Sequence, residues 1–363
     1  NSGQTRHQEK IYSFTDTWDI FNSKNFNIIA VHNAKYRTYY ERFYDDNPVE
    51  DFYSSYYYDN RGVRVFDEIK TLKNSVGIQL SSAKSDQKRD SSFIDYILEP
   101  GIEHQLHSVT RYQANYNVNW LALTGKLRLN LKDDLFINAE LTQSFVPDLD
   151  DTGIRSSLYY QWKKYISLRG FFNLYRNRPS LQAQNFKVNS FNIWVNDFDP
   201  VNIYQVGGKL GIPAIGLEAG LTYSVLGQYI YYGREGIPIQ SNDTEQILQI
   251  TGTINTRLSR FDFEAIGGFQ LNDGEVIDVP NLFLDARAYV NFTLFKNRMH
   301  IRTGPYARYF DKTLSYYYQP LIGDFHLTDL PDYQTTNYSL NYMFGFRISG
   351  FNIYAHIQNI EQI

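Results

Sequence analysis

The chain of 363 residues carries 35 basic and 39 acidic side chains, and its formal net charge of −4 lacks the basic excess typical of nucleic-acid-binding proteins. It contains no cysteine, which excludes thiolate catalysis, disulfide bonds and cysteine-based zinc sites. Mean hydropathy is −0.45, and no stretch approaches the roughly 20 apolar residues that a membrane-spanning helix needs. We therefore expect neither a nucleic-acid partner nor membrane-spanning helices.

Apolar and polar residues alternate along the chain from near Phe26 onward, which is the pattern of β-strands. In the stretch 121–131, leucines occupy one face, whereas Lys126 and Arg128 occupy the other. A Lys-Asp-Asp turn follows, and 135–142 repeats the pattern with a matching apolar face, which predicts a hairpin. The same alternation marks the stretches 166–174, 217–225, 261–270, 282–292, 301–309 and 338–347.

These stretches exceed the roughly 5 or 6 residues of an average soluble strand and match the roughly 9 to 11 of a tilted membrane strand. A soluble sandwich or propeller would alternate too, but a row of Leu, Phe and Tyr on nearly every strand suits lipid, and the 31 Tyr and 25 Phe suit aromatic girdles. We predict an all-β fold, a transmembrane antiparallel up-and-down β-barrel of about 16 strands (about 14 to 18). Residues 1–25 are expected to form an N-terminal segment and 26–363 the barrel.

The predicted connections alternate between short turns and longer loops, as in outer-membrane barrels. Short turns are predicted at 132–134, 163–164, 295–298 and 349–350, and the longest loop at 311–335. Two consecutive short connections, 197–200 and 212–214, break this alternation, and the sequence alone leaves that conflict open. Pro100 and Pro305 lie within predicted strands, so each is expected to mark a bulge or an interruption of pairing.

An ordered series of short motifs runs through the second half of the chain, from Asn177 to Asn359. The motifs are Pro-Ser at 179–180, Asn-Ser-Phe-Asn-Ile-Trp-Val-Asn at 189–196, Ile-Tyr-Tyr at 230–232, Ile-Pro-Ile-Gln at 237–240, Val-Pro at 279–280, Leu-Phe-Lys at 294–296, Gly-Pro-Tyr-Ala-Arg-Tyr at 304–309, Tyr-Gln-Pro at 318–320, Gly-Asp-Phe at 323–325, Leu-Pro at 330–331, Phe-Arg at 346–347 and Ile-Gln-Asn at 357–359. In order and spacing this series resembles the "putative porin" family of Bacteroidota outer membranes.

The resemblance implies an outer-membrane barrel with no established substrate and no catalytic residues to carry over. Family members tend to end in a further strand that closes on an aromatic residue, whereas this sequence ends in Ile-Glu-Gln-Ile. We therefore expect that the C-terminal closing strand is missing from the sequence given, because an unclosed edge in lipid leaves backbone groups unpaired at several kcal/mol each.

Charged residues on the polar faces of the strands are the candidate functional residues, as the lining of a lumen. They are Arg287, Arg302, Arg308, Arg347, Glu218, Asp262, Glu264 and Asp285. One interpretation is a transverse field that orients hydrated solutes in a polar pore. The other is that these charges pair inside a filled lumen and only stabilise it.

The predicted function is a porin-like outer-membrane barrel that allows passive diffusion of small hydrophilic solutes. The alternative is an accessory or structural subunit of a larger outer-membrane complex without a channel of its own, because the inward positions Phe171, Phe283 and Tyr306 could fill the lumen. The expected partners are outer-membrane lipid and lipopolysaccharide, the solutes and, under the alternative, other outer-membrane proteins. An energised receptor is not expected, since by analogy it would carry a large N-terminal plug domain, whereas strands here begin near Phe26.

Other motifs give no catalytic or metal site. His104 and His107 are three residues apart, so on a strand they point to opposite faces and cannot share a metal. Asp148, Asp150 and Asp151 lack the spacing of an EF-hand and are interpreted as a solvated turn, with a surface calcium site as the alternative. Two tyrosine clusters, 53–58 and 316–318, suit girdle or loop packing, with sugar stacking left open. There is no Gly-x-Ser-x-Gly elbow, so we predict no enzyme and no cofactor.

Overall fold

A computed structural model describes residues 3–48, 60–82, 94–111, 114–131, 134–146, 151–274, 276–277, 279–311, 316–327 and 338–360. In chain order the strands are β1 (Gln4–Asn22), β2 (Phe26–Asp45), β3 (Val63–Ser82), β4 (Ile94–Arg111), β5 (Ala114–Leu131), β6 (Leu135–Ser144), β7 (Thr152–Trp162), β8 (Ile166–Asn177), β9 (Asn185–Val188), β10 (Phe191–Val195), β11 (Val201–Ile212), β12 (Leu217–Gly227), β13 (Ile230–Tyr232), β14 (Pro238–Gln240), β15 (Thr244–Leu258), β16 (Phe261–Asn272), β17 (Leu282–Leu294), β18 (Met299–Phe310), β19 (Tyr316–Gln319), β20 (Asp324–Leu327), β21 (Tyr338–Ile348) and β22 (Phe351–Ile357). One short helix, α1 (Leu181–Gln184), precedes β9.

Sixteen strands form one antiparallel up-and-down sheet in the order β1-β2-β3-β4-β5-β6-β7-β8-β11-β12-β15-β16-β17-β18-β21-β22. The remaining strands pair as three small ribbons, β9–β10, β13–β14 and β19–β20, inside connections of the large sheet. The all-β architecture and the strand number are therefore as predicted. The described residues of β1 and β22 do not pair with each other, so hydrogen bonds do not close this sheet into a barrel.

The described helices include none that is both long enough and apolar enough to cross a membrane. The outer face of the sheet is instead apolar across neighbouring strands. Leu221, Ile250, Phe269 and Leu282 pair directly across β12, β15, β16 and β17, and they are 52%, 51%, 44% and 46% exposed. Removing such a row from water is favourable by about 25 cal/mol per Å². This surface therefore suits lipid, and the opposite, polar face does not.

The first five strands are longer than the others, and their outer face changes character along its length. β1 to β5 have 18 to 20 residues, whereas β6 and β12 have 10 and 11. On β3, β4 and β5, a directly paired row of Val76, Ile102 and Leu123 is apolar. Six residues further along each strand, toward the end at which the connection 46–62 joins β2 to β3, the paired row is polar and consists of Lys70, Ser108 and Asn117.

The sheet begins at Gln4 rather than near Phe26, which corrects the predicted N-terminal segment. β1 pairs with β2 from Gln4 opposite Tyr44 to Asn22 opposite Asn27, with one irregularity after Asp19. The alternation was hidden because polar residues interrupt the outer row of this strand, most clearly Asp16 in its middle. Residues 4–22 are thus part of the sheet.

The conflict between two consecutive short connections is also resolved. The connection from β8 to β11 is long, because 178–200 contains α1, β9 and β10, so the stretch 189–196 does not cross the sheet. The next connection is a single 3-10 turn at Pro213–Ile215, which ends at Gly216 in the left-handed region with a φ of 65°. Short and long connections therefore alternate here, whereas earlier in the chain the longer connection 83–93 and the short connection 112–113 depart from that order.

Both strand prolines interrupt pairing with one neighbour, as predicted. Between β3 and β4 the pairing stops after Gly77 opposite Gly101 and resumes at Leu80, in the same register, beside Pro100. Between β17 and β18 an equivalent gap flanks Pro305. The cause is that proline has no N–H to donate to the ladder.

A buried apolar cluster lies at the end of the sheet that carries the long connections. It joins the ends of β2 and β3 to the connections 178–200 and 311–337 through Phe43, Val63, Val65, Phe186, Val188, Trp194, Leu321 and Ile322. The amide N–H of Asn189 donates to the carbonyl of Arg64 over 2.8 Å, and Gln182 donates to the carbonyl of Ile322. Since β2 and β18 lie near opposite ends of the strand order, the sheet must curl around this cluster.

Candidate functional site

The concave side of the sheet is defined by the side chains that meet these connections. Arg111 on β4 reaches α1, and its pair Asp67 on β3 lies on the same face. Directly paired residues share a face, so the register carries this assignment from strand to strand as far as β21. We call this polar side the inner face, and the apolar side with Leu221 and Ile250 the outer face.

On the inner face of β15 to β18, charged residues form a chain of ion pairs. At one end, Arg257 Nε lies 3.4 Å from Asp262 Oδ1. Arg302 Nη2 lies 3.6 Å from Asp262 Oδ2 and 2.7 Å from Glu264 Oε1, so it joins two carboxylates on the neighbouring part of the wall. The guanidinium of Arg302 also lies 4.2 Å from the ring centre of Tyr289, which fixes it against the wall by a cation–π contact.

The chain of ion pairs continues toward the long-connection end. Arg287 Nη1 lies 3.9 Å from Glu264 Oε2, and Arg287 Nε lies 3.1 Å from Asp285 Oδ1. Arg308 Nε donates to Asp285 Oδ2 over 2.9 Å. We call this set the charge ladder: Arg257, Asp262, Glu264, Asp285, Arg287, Arg302 and Arg308. Partly exposed pairs of this kind contribute about 0–1 kcal/mol each, so the ladder neutralises the wall more than it stabilises the fold.

Most of the lumen-lining residues named from the sequence fall in the charge ladder, and two lie outside it. Glu218 pairs instead with Lys209 on β11, at 2.9 Å. Arg347 on β21 lies opposite His300 of β18 and Asn352 of β22. Sequence reasoning missed Arg257, although it alternates correctly with the apolar residues of β15 and could have been found that way.

Phe171 and Phe283 are two of the aromatic residues on the inner face. Phe171 pairs directly with Gly207, and Phe283 with Gly268. A Cβ atom at Gly268 would lie 2.7 Å from the Phe283 ring, and one at Gly207 would also collide with Phe171. Each ring therefore lies against the backbone of a neighbouring glycine.

At the long-connection end, a buried ion pair holds the connection 178–200 against the wall. Arg111 Nε lies 2.9 Å from Asp67 Oδ1, and their side chains are 4% and 15% exposed. Arg111 Nη1 also donates to the carbonyl of Leu181, over 2.9 Å, and to that of Asn185. A cavity of about 400 Å³ remains between this segment and β2 to β4. We call the contacts of Arg111 with Asp67, Leu181 and Asn185 the clamp. It was not indicated by the sequence, because Arg111 and its partners on the connection are some 70 residues apart.

The connection 228–243 approaches the same end of the molecule. Burial, together with the nearby carboxylates of Asp324 and Glu245, raises the pKa of the Tyr229 phenol. The ring of Tyr232 lies 6.2 Å from that of Trp194, so this connection contacts the cluster built on 178–200. Three connections therefore converge over the inner face. They narrow the opening of the lumen at the long-connection end, which we call the outer mouth.

The remaining motifs have structural contacts. His107 lies on the inner face with Thr71 at 2.9 Å, whereas His104 lies on the other face near Asn119, and the described residues include no group of three that could hold a metal ion. Asp151 accepts from the amide of Arg178 over 2.8 Å, and Asp148 and Asp150 lie outside the described residues, as does the cluster 53–58. In the other cluster, Tyr318 packs on Phe325 at 5.3 Å.

Known proteins resemble this chain in sequence family and in fold. A family model described as "Putative porin" matches residues 1–363. No curated protein matches. Solved structures with the same fold include a mutant of the ferric enterobactin receptor PfeA from Pseudomonas aeruginosa, at 11% identity and a TM-score of 0.68, with 98% of this chain and 56% of that chain covered.

Two further structures are similar at 9% identity. The siderophore receptor PirA from Acinetobacter baumannii has a TM-score of 0.64, with 98% of this chain and 59% of that chain covered. The ferric-catecholate import receptor Fiu from E. coli K12 has a TM-score of 0.58, with 100% and 61% covered. The chain spans about three fifths of the length of these structures, and the likeness concerns the fold alone.

Proposed function

This chain belongs to the family described as "Putative porin", and we propose that it lets small hydrophilic solutes diffuse passively across the outer membrane. It is an outer-membrane β-barrel protein of porin-like type, in contact with membrane lipid on its apolar outer face. Passive diffusion of hydrophilic solutes requires a water-filled path lined by polar groups. The observation that carries the proposal is the inner face, on which charged and polar residues follow one another from strand to strand.

Two properties of that face favour diffusion over tight capture. The charge ladder pairs its carboxylates with guanidinium groups, so a passing solute meets a polar wall that holds no large net charge over most of β16 to β18. The rings of Phe171 and Phe283 lie against glycines of the neighbouring strands. Weak, repeated polar contacts allow a solute both to enter and to leave.

A second function is favoured by the converging connections. The clamp at Arg111 and the apolar cluster around Trp194 narrow the mouth, and the similar solved structures are siderophore receptors. A receptor-like role would use that mouth to select a ligand before uptake. The remaining rival is an accessory or structural subunit of a larger outer-membrane complex, which would need no conducting path at all.

Conductance in planar bilayers separates these functions. We expect the purified protein to give stable open-channel steps in potassium chloride, and to admit small sugars in a liposome-swelling assay. A folded protein, identified by its heat-modifiable electrophoretic mobility, that stays silent in both assays would refute passive diffusion and favour the receptor or subunit role. Steps that appear only after a specific solute is added would favour the receptor.

A further inference from the structure

A second cavity, of about 590 Å³, lies on the inner face at the opposite end of the molecule from the clamp. The short turns between β15 and β16, β17 and β18, and β21 and β22 surround it. Its basic lining residues are Arg257, Arg260, His300, Arg302 and Arg347. None of the described residues that line it is acidic. Outer-membrane barrels have short turns on the periplasmic side, so the cavity faces the periplasmic mouth.

The cavity keeps an excess of positive charge when the carboxylates next to it are counted. The nearest carboxylates belong to Asp262 and Glu264, and both are occupied: Asp262 by Arg257 and Arg302, and Glu264 by Arg302. Within the part of the chain that the structure describes, no ion pair involves Arg260 or Arg347. The turn 295–298 adds Lys296 and Arg298 at the same end. Charges of one sign that surround a cleft concentrate ions of the opposite sign in it.

The strand register brings hydrogen-bond donors to the same place. Arg347 lies directly opposite His300 on one side and Asn352 on the other. Arg302 lies opposite Asn291 and opposite Gly345, and the ring of Tyr354, which also lines the cavity, lies against that glycine. Guanidinium forks and amides in one cavity suit a planar or tetrahedral oxyanion, which they can bind through two oxygens at once.

We propose that this cavity binds a small multivalent oxyanion, a solute that carries phosphate or several carboxylates, at the periplasmic end of the lumen. The inference rests on the proposed channel, whose substrate class it narrows. The ligand is held by Arg260 and Arg347, the two guanidinium groups that are free of carboxylates, and Arg302 and the asparagines complete the site. Occupation of the cavity obstructs the path of smaller ions.

Inorganic phosphate is the first probe. Channel current in potassium chloride is measured at fixed ionic strength while phosphate increases, and we expect a saturable block of the open channel. The double substitution Arg260→Gln with Arg347→Gln should raise the half-blocking concentration at least about tenfold, because it removes two donors of charge-assisted hydrogen bonds. Citrate, measured in parallel, distinguishes a carboxylate ligand from a phosphate ligand.

Arg169→Gln is the matched control. Arg169 lies on the inner face of β8, near the short turn at 163–165, with its guanidinium 5.6 Å from the ring of Tyr159 and outside the cavity. The control removes one positive charge at a similar depth, as Arg347→Gln alone does, so it is compared with that single substitution and should leave the half-blocking concentration within about twofold if the site, rather than total lumen charge, binds the anion. Equal effects of Arg169→Gln and Arg347→Gln would overturn the inference.

The test also separates this inference from the channel proposal. If wild-type protein conducts but neither phosphate nor citrate blocks it, the anion site is refuted and the channel stands. If wild-type protein is folded and silent, titration calorimetry with pyrophosphate in detergent takes the place of conductance. Binding that Arg260→Gln with Arg347→Gln abolishes then supports the site without a channel, and no binding overturns it.

Discussion

Replacement of Arg111 by Met tests whether the connection 178–200 is clamped in the outer mouth. The substitution keeps much of the side-chain volume but removes the ion pair with Asp67 and two hydrogen bonds to carbonyl groups. Breaking a buried pair by removing one partner costs about 3–5 kcal/mol, because the other charge stays buried without compensation. That is a large penalty for a segment whose other anchors are the cluster around Trp194 and a few hydrogen bonds, such as those from Asn189 to Arg64 and from Arg178 to Asp151.

We expect this penalty to detach the connection locally while the sixteen-stranded sheet stays folded. Limited digestion with trypsin should then cleave after Lys187, which lies on β9 inside the connection, many times faster than in the wild type. Single-channel steps should become larger and noisier, because the segment leaves the mouth. Heat-modifiable mobility and far-ultraviolet circular dichroism should not change.

A double substitution separates the two effects of Arg111. Adding Asp67→Asn removes the uncompensated charge and should recover much of the lost stability. Trypsin sensitivity should persist, since the bonds to the carbonyls of Leu181 and Asn185 are still missing. Arg155→Met is the control, because Arg155 is an exposed inner-face arginine 4.0 Å from its carboxylate partner on β6. If Arg111→Met is as resistant to trypsin and as quiet as this control, Arg111 does not clamp the connection.

Three further outcomes follow from the two faces of the sheet. Arg302→Gln with Arg308→Gln should shift the reversal potential toward cation selectivity, because it leaves ladder carboxylates unpaired; an unchanged potential would mean that these arginines lie off the conducting path. Gly268→Ala should lower single-channel conductance by displacing the Phe283 ring into the lumen, and Phe283→Ala in the same protein should restore part of it, since the added Cβ also lies 2.8 Å from the carbonyl oxygen of Ile250. Leu221→Lys should destabilise folding into vesicles by about 2–4 kcal/mol, measured by urea titration, and a change under about 0.5 kcal/mol would contradict a lipid-facing position.

The fold was predictable because apolar residues recur at every second position along a barrel strand. Alternation gave the strand number and the two faces, and it placed Arg287 and Asp285 on the polar side. It failed at β1, where Asp16 interrupts the apolar row. Alternation did not predict the ion pairs. Which arginines lie near Glu264 depends on the register between three strands, and alternation does not fix register.

The outer mouth was not predictable for a different reason. Its cluster unites Phe43 with Trp194 and Ile322, and each of these comes from a separate connection or strand end. Loop residues lack a period that would show which face they cover. The basic cavity was predictable in part. Arg302 and Arg347 were predicted to line the lumen, but Arg260 lies in a turn, where alternation does not indicate the direction of a side chain.

The unequal strand lengths give the barrel a rim of uneven height. A strand of 20 residues, such as β3, rises about 50 Å along the membrane normal at a tilt near 40°, whereas the 11 residues of β12 rise about 28 Å, close to the roughly 25 Å of an apolar band. The wall formed by β3 to β5, with its polar row, therefore extends further from the membrane than the wall formed by β6 to β12. The connection 178–200 joins β8 to β11 on the shorter side, so we expect a bulky solute that approaches from that side to meet this connection before it meets the inner face.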